Sequence, residues 1–333
     1  MYLPRVLSCS KVAIFLCLLN PAYAAEFSPK LTEFGHPDLQ GNWTSATITP
    51  FVRPEELGEK RAYSQQEATE LVSKRLAELE DRFAPLEDTS SAPEVVESVD
   101  NSAEDQFKED YSNLLTIDGE VRTSIIVEPS NGRLPLRQNA IENTFDGQWM
   151  AAGFKDFDGP EMAGPGPRCL IDFGALPPAG PIVPISPNFK FVQTEHYVVL
   201  YIEAGAELRV IRLNSEYKPI PGGRWRGDSI GEWQGGTLVV HTNNFNPQSS
   251  APQLRMSELL EVEEQFTPIS DSEIFYRFTA TDPNVYTQPF SGELILSRMP
   301  EGEKIFDYAC HEGNYSLPGI LAGARRQDVY SAD

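Results

Sequence analysis

A series of short β-compatible runs, separated by turns, constrains the fold more than any other feature of the chain. The series begins near residue 188, and no stretch with helical periodicity separates one run from the next. Without crossover helices, successive strands are expected to pair antiparallel, and eight or nine such strands lose their exposed edges best by closing on themselves. We predict a mainly β fold, an antiparallel up-and-down barrel of about eight strands with an N-terminal helical and loop extension; a β-sandwich is the alternative. The predicted strands are Tyr197–Ile202, Glu207–Leu213, the two strands of a central hairpin within residues 222–245, Ser257–Phe266, Ile274–Asp282, Tyr286–Arg298 and Ile305–Cys310.

The central hairpin carries a concentration of polar side chains around a Gly-rich turn. A two-residue turn that starts at Gln234 pairs Asp228 with His241, and one that starts a residue later pairs Asp228 with Asn243. Because side chains alternate along a strand, either turn places these three side chains and Arg226 on one face, whereas a three-residue turn would split them. A cation, a carboxylate, an imidazole and an amide on one face indicate a functional site.

A second polar cluster follows the last predicted strand, at residues 310–315. Histidine is suited to proton transfer near neutral pH, and the carboxylate of Glu312 can orient the imidazole of His311. Neighbouring residues of a strand point to opposite faces, so this pair cooperates only if the strand has ended there. The alternative interpretation is structural, with both side chains holding a loop over the end of the barrel by hydrogen bonds.

The first 24 residues have the three-part layout of a secretory signal peptide. Basic residues Arg5 and Lys11 precede an apolar run over residues 12–19, and a small-x-small site ends at Ala24. We expect cleavage after Ala24, with export to the periplasm or the medium. No later stretch approaches the roughly 20 apolar residues that span a bilayer, so we expect no membrane span.

Removal of the signal leaves Cys169 and Cys310 as the two cysteines of the mature chain. In an oxidising compartment such a pair is expected to form a disulfide; two free thiols are the alternative. The mature chain holds 49 acidic and 25 basic residues, because the signal contains two basic residues and no acidic one, and its net charge is −24. That charge repels nucleic acid and anionic membrane surfaces, so neither is an expected partner.

Several classes of site are excluded by their missing motifs. No phosphate-binding loop, dinucleotide fingerprint or Gly-x-Ser-x-Gly sequence occurs, and the four histidines have no zinc-ligand spacing. We therefore predict no cofactor and no metal. The residues around Asp156 and Asp158 resemble a calcium loop, but the acids expected further along are missing, and a solvated turn is the favoured interpretation. A small-molecule ligand is the expected partner, and no oligomeric state is indicated.

The chain divides into five predicted segments. Ser64 and Glu67 form a capping box ahead of apolar residues at helical spacing, which predicts a helix at about 64–82. Acidic residues then dominate a stretch with little to bury. The predicted segments are a signal peptide (1–24), an N-terminal strand and helical flap (25–83), an acidic mobile loop (84–110), a loop-rich covering region (111–187) and the antiparallel barrel domain (188–333).

Two resemblances to known families accompany these patterns. The Gly41-Asn42-Trp43 sequence resembles the opening strand of a calycin, or lipocalin-type, barrel, although a Trp that simply fills an apolar space is the favoured reading of so short a motif. Residues 165–325 resemble a large family of exported bacterial proteins without an established reaction, and this resemblance implies export and a common fold. It is carried by Trp225-Arg226-Gly227-Asp228-Ser229-x-Gly231-x-Trp233-x-Gly235-x-Thr237-Leu238-Val239-Val240, by Tyr308-Ala309-Cys310-His311-Glu312-Gly313-Asn314-Tyr315 and by Gly319-Ile320-Leu321-Ala322-Gly323-Ala324-Arg325; His241 stands where many such proteins are expected to have Asp.

Two functions are open from the sequence. The first is an exported enzyme that works without a redox cofactor on a small apolar or aromatic ligand in a barrel pocket, by acid–base chemistry of lyase, isomerase, cyclase or hydrolase type. There His241 or His311 exchanges protons, Asp228 or Glu312 orients the imidazole, and Arg226 holds a developing negative charge. The second is a non-catalytic, lipocalin-like small-molecule-binding protein. The predicted substrate-binding residues are Trp225, Trp233, Asn243, Asn314 and Tyr315.

Overall fold

A closed β-barrel dominates the computed structural model, which describes residues 27–82, 112–155, 157–170, 187–250, 254–312 and 314–330. The predicted signal peptide (1–24) and acidic loop (84–110) lie outside the described residues. Within the described ranges the strands are β1 (Gly41–Thr44), β2 (Ala62–Tyr63), β3 (Thr116–Ile117), β4 (Glu120–Arg122), β5 (Ile126–Glu128), β6 (Asn188–Gln193), β7 (Tyr197–Ile202), β8 (Glu207–Leu213), β9 (Asp228–Gln234), β10 (Thr237–Asn243), β11 (Glu261–Pro268), β12 (Glu273–Thr281) and β13 (Phe290–Arg298), and the α-helices are α1 (Gln65–Arg82), α2 (Phe145–Ala151) and α3 (Ser316–Tyr330).

Nine strands form the barrel in the order β1-β6-β7-β8-β9-β10-β11-β12-β13, and β13 pairs with β1 to close it. At the closure Trp43 lies opposite Arg298. Strand β5 adds to the outer edge of β13, while β2, β4 and β3 form a small separate sheet. The prediction of a mainly β barrel of about eight strands is therefore confirmed, and the helical part of the N-terminal region is minor.

One pair of neighbouring strands departs from the predicted antiparallel pattern. Strands β8 and β9 run parallel, with Ile211 opposite Ser229 and Leu213 opposite Gly231. Antiparallel neighbours can be joined by a tight turn, whereas parallel neighbours need a connection that returns along the sheet. Residues 214–227, here called the crossover segment, make that return without a helix, so the inference from missing crossover helices was wrong at this pair.

The last predicted strand, Ile305–Cys310, is also absent from the described fold. Residues 305–309 have no regular secondary structure, and the side chain of Phe306 is 68 % exposed. The physical reason is that β13 pairs with β12 along one edge and with β1 and β5 along the other, so no whole edge is free for another strand.

Large side chains fill the interior of the barrel. Phe191, Phe266, Tyr276 and Phe278 are fully buried or nearly so, and their rings follow one another with centroids 5.4, 4.8 and 6.0 Å apart. A side chain with no accessible surface borders no space that could hold even a water molecule. The interior at these residues is therefore a packed core, as in most small barrels.

Trp43 seals one end of this core. Its indole N–H donates to the carbonyl of Leu39 at 2.8 Å, and the guanidinium of Arg298 lies 4.2 Å from the ring centre. The opposite end lies under residues of the loop-rich region, among them Ile125 and Ile126, which are buried in the same core as the barrel strands. We refer to it as the covered end.

The predicted N-terminal helix is present as α1, Gln65–Arg82. Its capping box is formed as expected: the Ser64 N–H donates to the Glu67 carboxylate at 2.8 Å, and the Glu67 N–H donates to the Ser64 hydroxyl at 3.3 Å. A hydrogen bond from Lys60, with those from Ser64, lowers the pKa of Glu67 to about 2. Few of the helix's side chains are buried, Ala68 and Leu79 among them.

Candidate functional site

The central hairpin adopts the second of the two predicted registers. Asp228 lies opposite Asn243, and the turn consists of Gly235 and Gly236. Gly235 has φ +61°, a left-handed conformation that favours glycine in such a turn. Asp228, His241 and Asn243 share one face, as predicted, but this is the outer face of the barrel. The interior receives the alternate side chains, which include those of Leu238 and Val240.

Asp228 is nevertheless buried, because the crossover segment covers it. Its carboxylate accepts hydrogen bonds from both terminal nitrogens of Arg212, at 2.7 and 3.0 Å, and from the Lys218 N–H at 2.5 Å. Arg224 lies 3.7 Å away. Burial by itself would raise the pKa of Asp228, but the hydrogen bonds from Arg212 and Lys218 and the charges of the two arginines outweigh it and hold the pKa below its usual range.

These contacts fix the position of the crossover segment on the outside of the barrel. Arg212 also donates to the Glu216 carbonyl at 2.8 Å. Further along, the side-chain oxygen of Asn244 accepts from the Ile220 N–H at 3.0 Å, and its amide nitrogen donates back to the Ile220 carbonyl at 3.4 Å. Asp228 therefore holds the crossover segment in place, and this segment forms a wall beside the end of β10.

A second buried aspartate, Asp282, anchors the facing wall. Its carboxylate accepts from the Ser257 N–H at 2.6 Å, from the Ser257 hydroxyl at 2.9 Å and from the Asn284 N–H at 3.0 Å. The Ser257 hydroxyl in turn accepts from the Leu259 N–H at 3.2 Å. The chain before β11 is thereby held in one conformation beside the loop that follows β12.

Between these two walls lies a cavity of about 580 Å³, the hairpin groove, at the covered end of the barrel. The groove lies outside the barrel wall, where β10, β11 and β12 end or begin. It is lined by Tyr217, Pro219, Asn243, Asn244, Glu258, Leu259, Leu260, Glu261, Thr281 and Pro283. Burial raises the pKa of the Tyr217 phenol, and the negative charges of Glu261 and Asp228 raise it further. Of the side chains predicted from the sequence to bind substrate, Asn243 is the one found in this lining.

The other predicted residues of the hairpin point elsewhere. Arg226 forms an ion pair with Glu207 of β8, and burial lowers its pKa to about 10, which leaves it protonated at neutral pH. His241 lies on the outer surface, with its Nδ1 atom 3.8 Å from the carboxylate of Glu263. The predicted grouping of Arg226, Asp228 and His241 is thus divided among three separate partners.

The two predicted tryptophans have structural surroundings. Trp233 points into the barrel end and stacks on the ring of His36, with centroids 5.1 Å apart. Trp225 is half-buried, its ring lies 5.9 Å from the guanidinium of Arg168, and its carbonyl accepts from the Ser249 hydroxyl at 2.8 Å. Neither residue lines the hairpin groove.

The second polar cluster lies far along the chain, on a turn beside α3. His311 and Glu312 are both exposed, and the Tyr315 side chain is 84 % exposed. Asn314 joins this turn to another segment, because its amide nitrogen donates to the carbonyl of Pro167 at 3.0 Å. Asn314 therefore joins two segments of the chain, while the structural interpretation of His311 and Glu312 stays a prediction.

The predicted disulfide is confirmed. Cys169 and Cys310 are bonded, with their Cα atoms 5.7 Å apart across a sequence separation of 141 residues. The bond ties the chain between β5 and β6 to the segment that follows β13.

In the described ranges, no group of three His, Cys, Asp or Glu side chains could hold a metal ion. Asp156 lies outside the described residues, while Asp158 sits in a turn and accepts from the Lys155 N–H at 2.8 Å. Among the helices described, none has both the length and the apolar character to cross a membrane.

A buried polar network inside the barrel escaped the sequence analysis. Arg209 and Glu264 form an ion pair, and the Tyr276 hydroxyl donates to Glu264 at 2.8 Å. Arg209 also donates to the hydroxyls of Ser229, at 3.2 Å, and Thr242, at 2.9 Å. The sequence does contain a pattern that could have predicted this network, because Arg209 and Glu264 each lie in register with apolar residues of their strand that face the core.

Comparison of the chain with protein-family models, with curated proteins and with solved structures yielded no match.

Proposed function

We propose that the protein binds a small organic molecule in the hairpin groove and acts as a binding protein. The observation that carries the proposal is the groove itself, whose volume of about 580 Å³ falls within the range typical of small-molecule sites. Both of its walls are held by buried aspartates, Asp228 and Asp282, so the site exists before a ligand arrives. A preformed site binds with less loss of conformational entropy than one that must order on binding.

The packing inside the barrel favours the groove, and not the barrel interior, as the ligand site. Phe191, Phe266 and Tyr276 leave no accessible space around them, and a ligand there would have to displace core side chains. A binding site outside the barrel wall requires no such displacement.

The surroundings of the predicted catalytic residues favour binding over catalysis. A general base needs a free lone pair within hydrogen-bonding distance of a substrate. The carboxylate of Asp228 is instead occupied by Arg212 and Lys218. His241 lies beside Glu263 on the open surface, and it does not line the groove. The acid–base enzyme remains the competing prediction, and it requires turnover of whatever molecule the protein retains.

The proposal is tested by recovering the molecule that the protein carries. The protein is purified under mild conditions from its native source, extracted with organic solvent and analysed by mass spectrometry. A Thr281→Trp variant places a large side chain in the groove, and Val192→Trp, on the exposed outer face of β6, is its matched control. Wild type and the control are expected to retain the same small molecule, and the groove variant is expected to lose it.

Two results would contradict the proposal. Equal retention by the Thr281→Trp variant would place the ligand elsewhere. Conversion of the recovered molecule into a new product on incubation with fresh protein would favour the enzyme.

We further propose that the protein is exported and that residues 1–24 are removed. The Cys169–Cys310 disulfide supports export, because such bonds persist in oxidising compartments. Intact mass measured on protein from the native cell envelope or medium is expected to correspond to a chain that begins at Ala25. A mass that includes residues 1–24 would overturn this part of the proposal.

A further inference from the structure

We infer that the ligand of the hairpin groove is an organic cation, an amine or quaternary ammonium group carried on an apolar body. The inference rests on the proposed function and specifies the chemistry of the same site. It comes from the combination of charge and apolar surface in the lining.

The charge of the lining is entirely negative. Glu258 and Glu261 contribute carboxylates, while the lining contains no Lys, Arg or His. Both glutamates are exposed to the groove and the solvent, and no ion pair joins either of them to a basic side chain in the part of the chain that the structure describes. A cationic ligand would find two carboxylates without a competing cation, whereas an anionic ligand would meet uncompensated repulsion.

Negative charge also acts on the buried side of the groove. The pKa of Tyr217 is raised first by burial and then by Glu261 and Asp228, so both carboxylates act on a group in the lining. Arg212 and Arg224 offset the charge of Asp228, which leaves Glu258 and Glu261 as the dominant groups. The tyrosine ring adds a surface that attracts cations.

The remainder of the lining suits an apolar body. Leu259 is 47 % exposed, and the exposed side chains of Pro219 and Pro283 add further apolar surface. Burying such surface against a hydrocarbon chain or ring is favourable in proportion to the area removed from water. The large negative charge of the chain would also attract cations from a distance and speed their association.

Three probes of one shape test the inference: 4-phenylbutylammonium, 4-phenylbutanol and 4-phenylbutyrate. Each is titrated into the full-length mature protein while the backbone amide signals of Asn243, Asn244 and Thr281 are followed by NMR. The ammonium probe is expected to shift these signals and to bind at least tenfold more tightly than the alcohol. The carboxylate probe is expected to produce no shift.

Charge-neutral variants identify the groups responsible. The double variant Glu258→Gln/Glu261→Gln is expected to weaken binding of the ammonium probe at least tenfold and to leave the alcohol within about twofold. The matched control is Glu232→Gln/Glu273→Gln, which neutralises two exposed glutamates near the Trp43 end of the barrel and is expected to bind all three probes like wild type.

Failure of the ligand class and failure of the site give different results. Shifts of the groove amides that are equally strong for the alcohol or the carboxylate probe would overturn the cationic ligand and leave the groove as the site. An ammonium probe that leaves all groove amides unshifted, or that binds Glu258→Gln/Glu261→Gln as tightly as wild type, would overturn the inference. If the ammonium probe leaves all groove amides unshifted, that result would also count against the groove as the binding site.

Discussion

Replacing Asp228 with Asn tests the structural role that the contacts assign to this carboxylate. The substitution keeps the shape of the side chain but removes its charge, and the amide nitrogen cannot accept a hydrogen bond. If the amide nitrogen takes the place of Oδ1, one bond from Arg212 is lost; if it takes the place of Oδ2, the other Arg212 bond and the bond from the Lys218 N–H are lost together. The Arg212 guanidinium is left partly buried, at 15 % side-chain exposure, without a charged partner.

The magnitude follows from the burial of this pair. Breaking a fully buried ion pair costs about 3–5 kcal/mol, and a hydrogen bond to a charged group contributes about 1.5–3 kcal/mol. Arg212 retains some contact with solvent and keeps its hydrogen bond to the Glu216 carbonyl, so the cost should lie below the fully buried case. We expect Asp228→Asn to lower the free energy of unfolding by about 2–3 kcal/mol.

Urea unfolding in a double-mutant cycle measures the interaction. The cycle combines Asp228→Asn with Arg212→Met and is expected to give a coupling free energy of about 2 kcal/mol. Asp271→Asn, at an exposed turn between β11 and β12, is the control and should change stability by less than about 0.5 kcal/mol. A coupling energy below about 0.5 kcal/mol would refute the reasoning, because the two side chains would then not depend on each other.

The pH dependence of the same variant gives an independent check. The pKa of Asp228 is lower in the folded protein than in the unfolded chain, so the folded state favours the ionised carboxylate. Its contribution is complete above the unfolded pKa of about 3.9 and is lost as pH falls from there through the folded pKa. The stability difference between wild type and Asp228→Asn should be constant from about pH 5 upward and should shrink below about pH 4.

Three further predictions concern the barrel, the disulfide and the N-terminal helix. Glu264→Gln should lower the free energy of unfolding by about 3–5 kcal/mol in urea titrations, because the buried charge of Arg209 would lose its oppositely charged partner; a loss below about 1 kcal/mol would contradict the buried pair. Replacing both Cys169 and Cys310 with Ala should destabilise the protein by about 3–5 kcal/mol on the chain-entropy account, and thermal melting unchanged by the replacement would count against it. Ser64→Ala should cost about 1 kcal/mol of local helix stability, visible as faster hydrogen exchange in the first turn of α1 with unchanged global unfolding.

Much of the fold follows from local patterns in the sequence. The strands β7 and β8 have the bounds that alternation of apolar residues predicts, and the capping box marks the start of α1. The parallel pairing of β8 and β9 has no such local signal. It depends on the route of the crossover segment, whose position is fixed by contacts of Lys218 with Asp228 and of Ile220 with Asn244, 10 and 24 residues further along the chain.

The site was predictable to a smaller extent. Period-2 alternation correctly placed Asp228 and Asn243 on one face, but it does not say which face looks into the barrel. The orientation of the hairpin is decided by the residues that alternate with these two, because their side chains pack in the core against side chains of neighbouring strands. The groove combines residues as distant as Tyr217, Leu259 and Thr281, and no spacing in the sequence brings them together.

The central claim, that the ligand occupies the hairpin groove and not the barrel interior, is tested most directly by methyl NMR on the complex with the recovered molecule. Methyl signals of Leu259 and Thr281 report on the groove, and those of Leu200 and Val240 report on the interior. We predict that binding shifts the groove methyl groups and leaves the interior ones in place. Shifts centred on Leu200 and Val240, with the groove signals unchanged, would contradict the account.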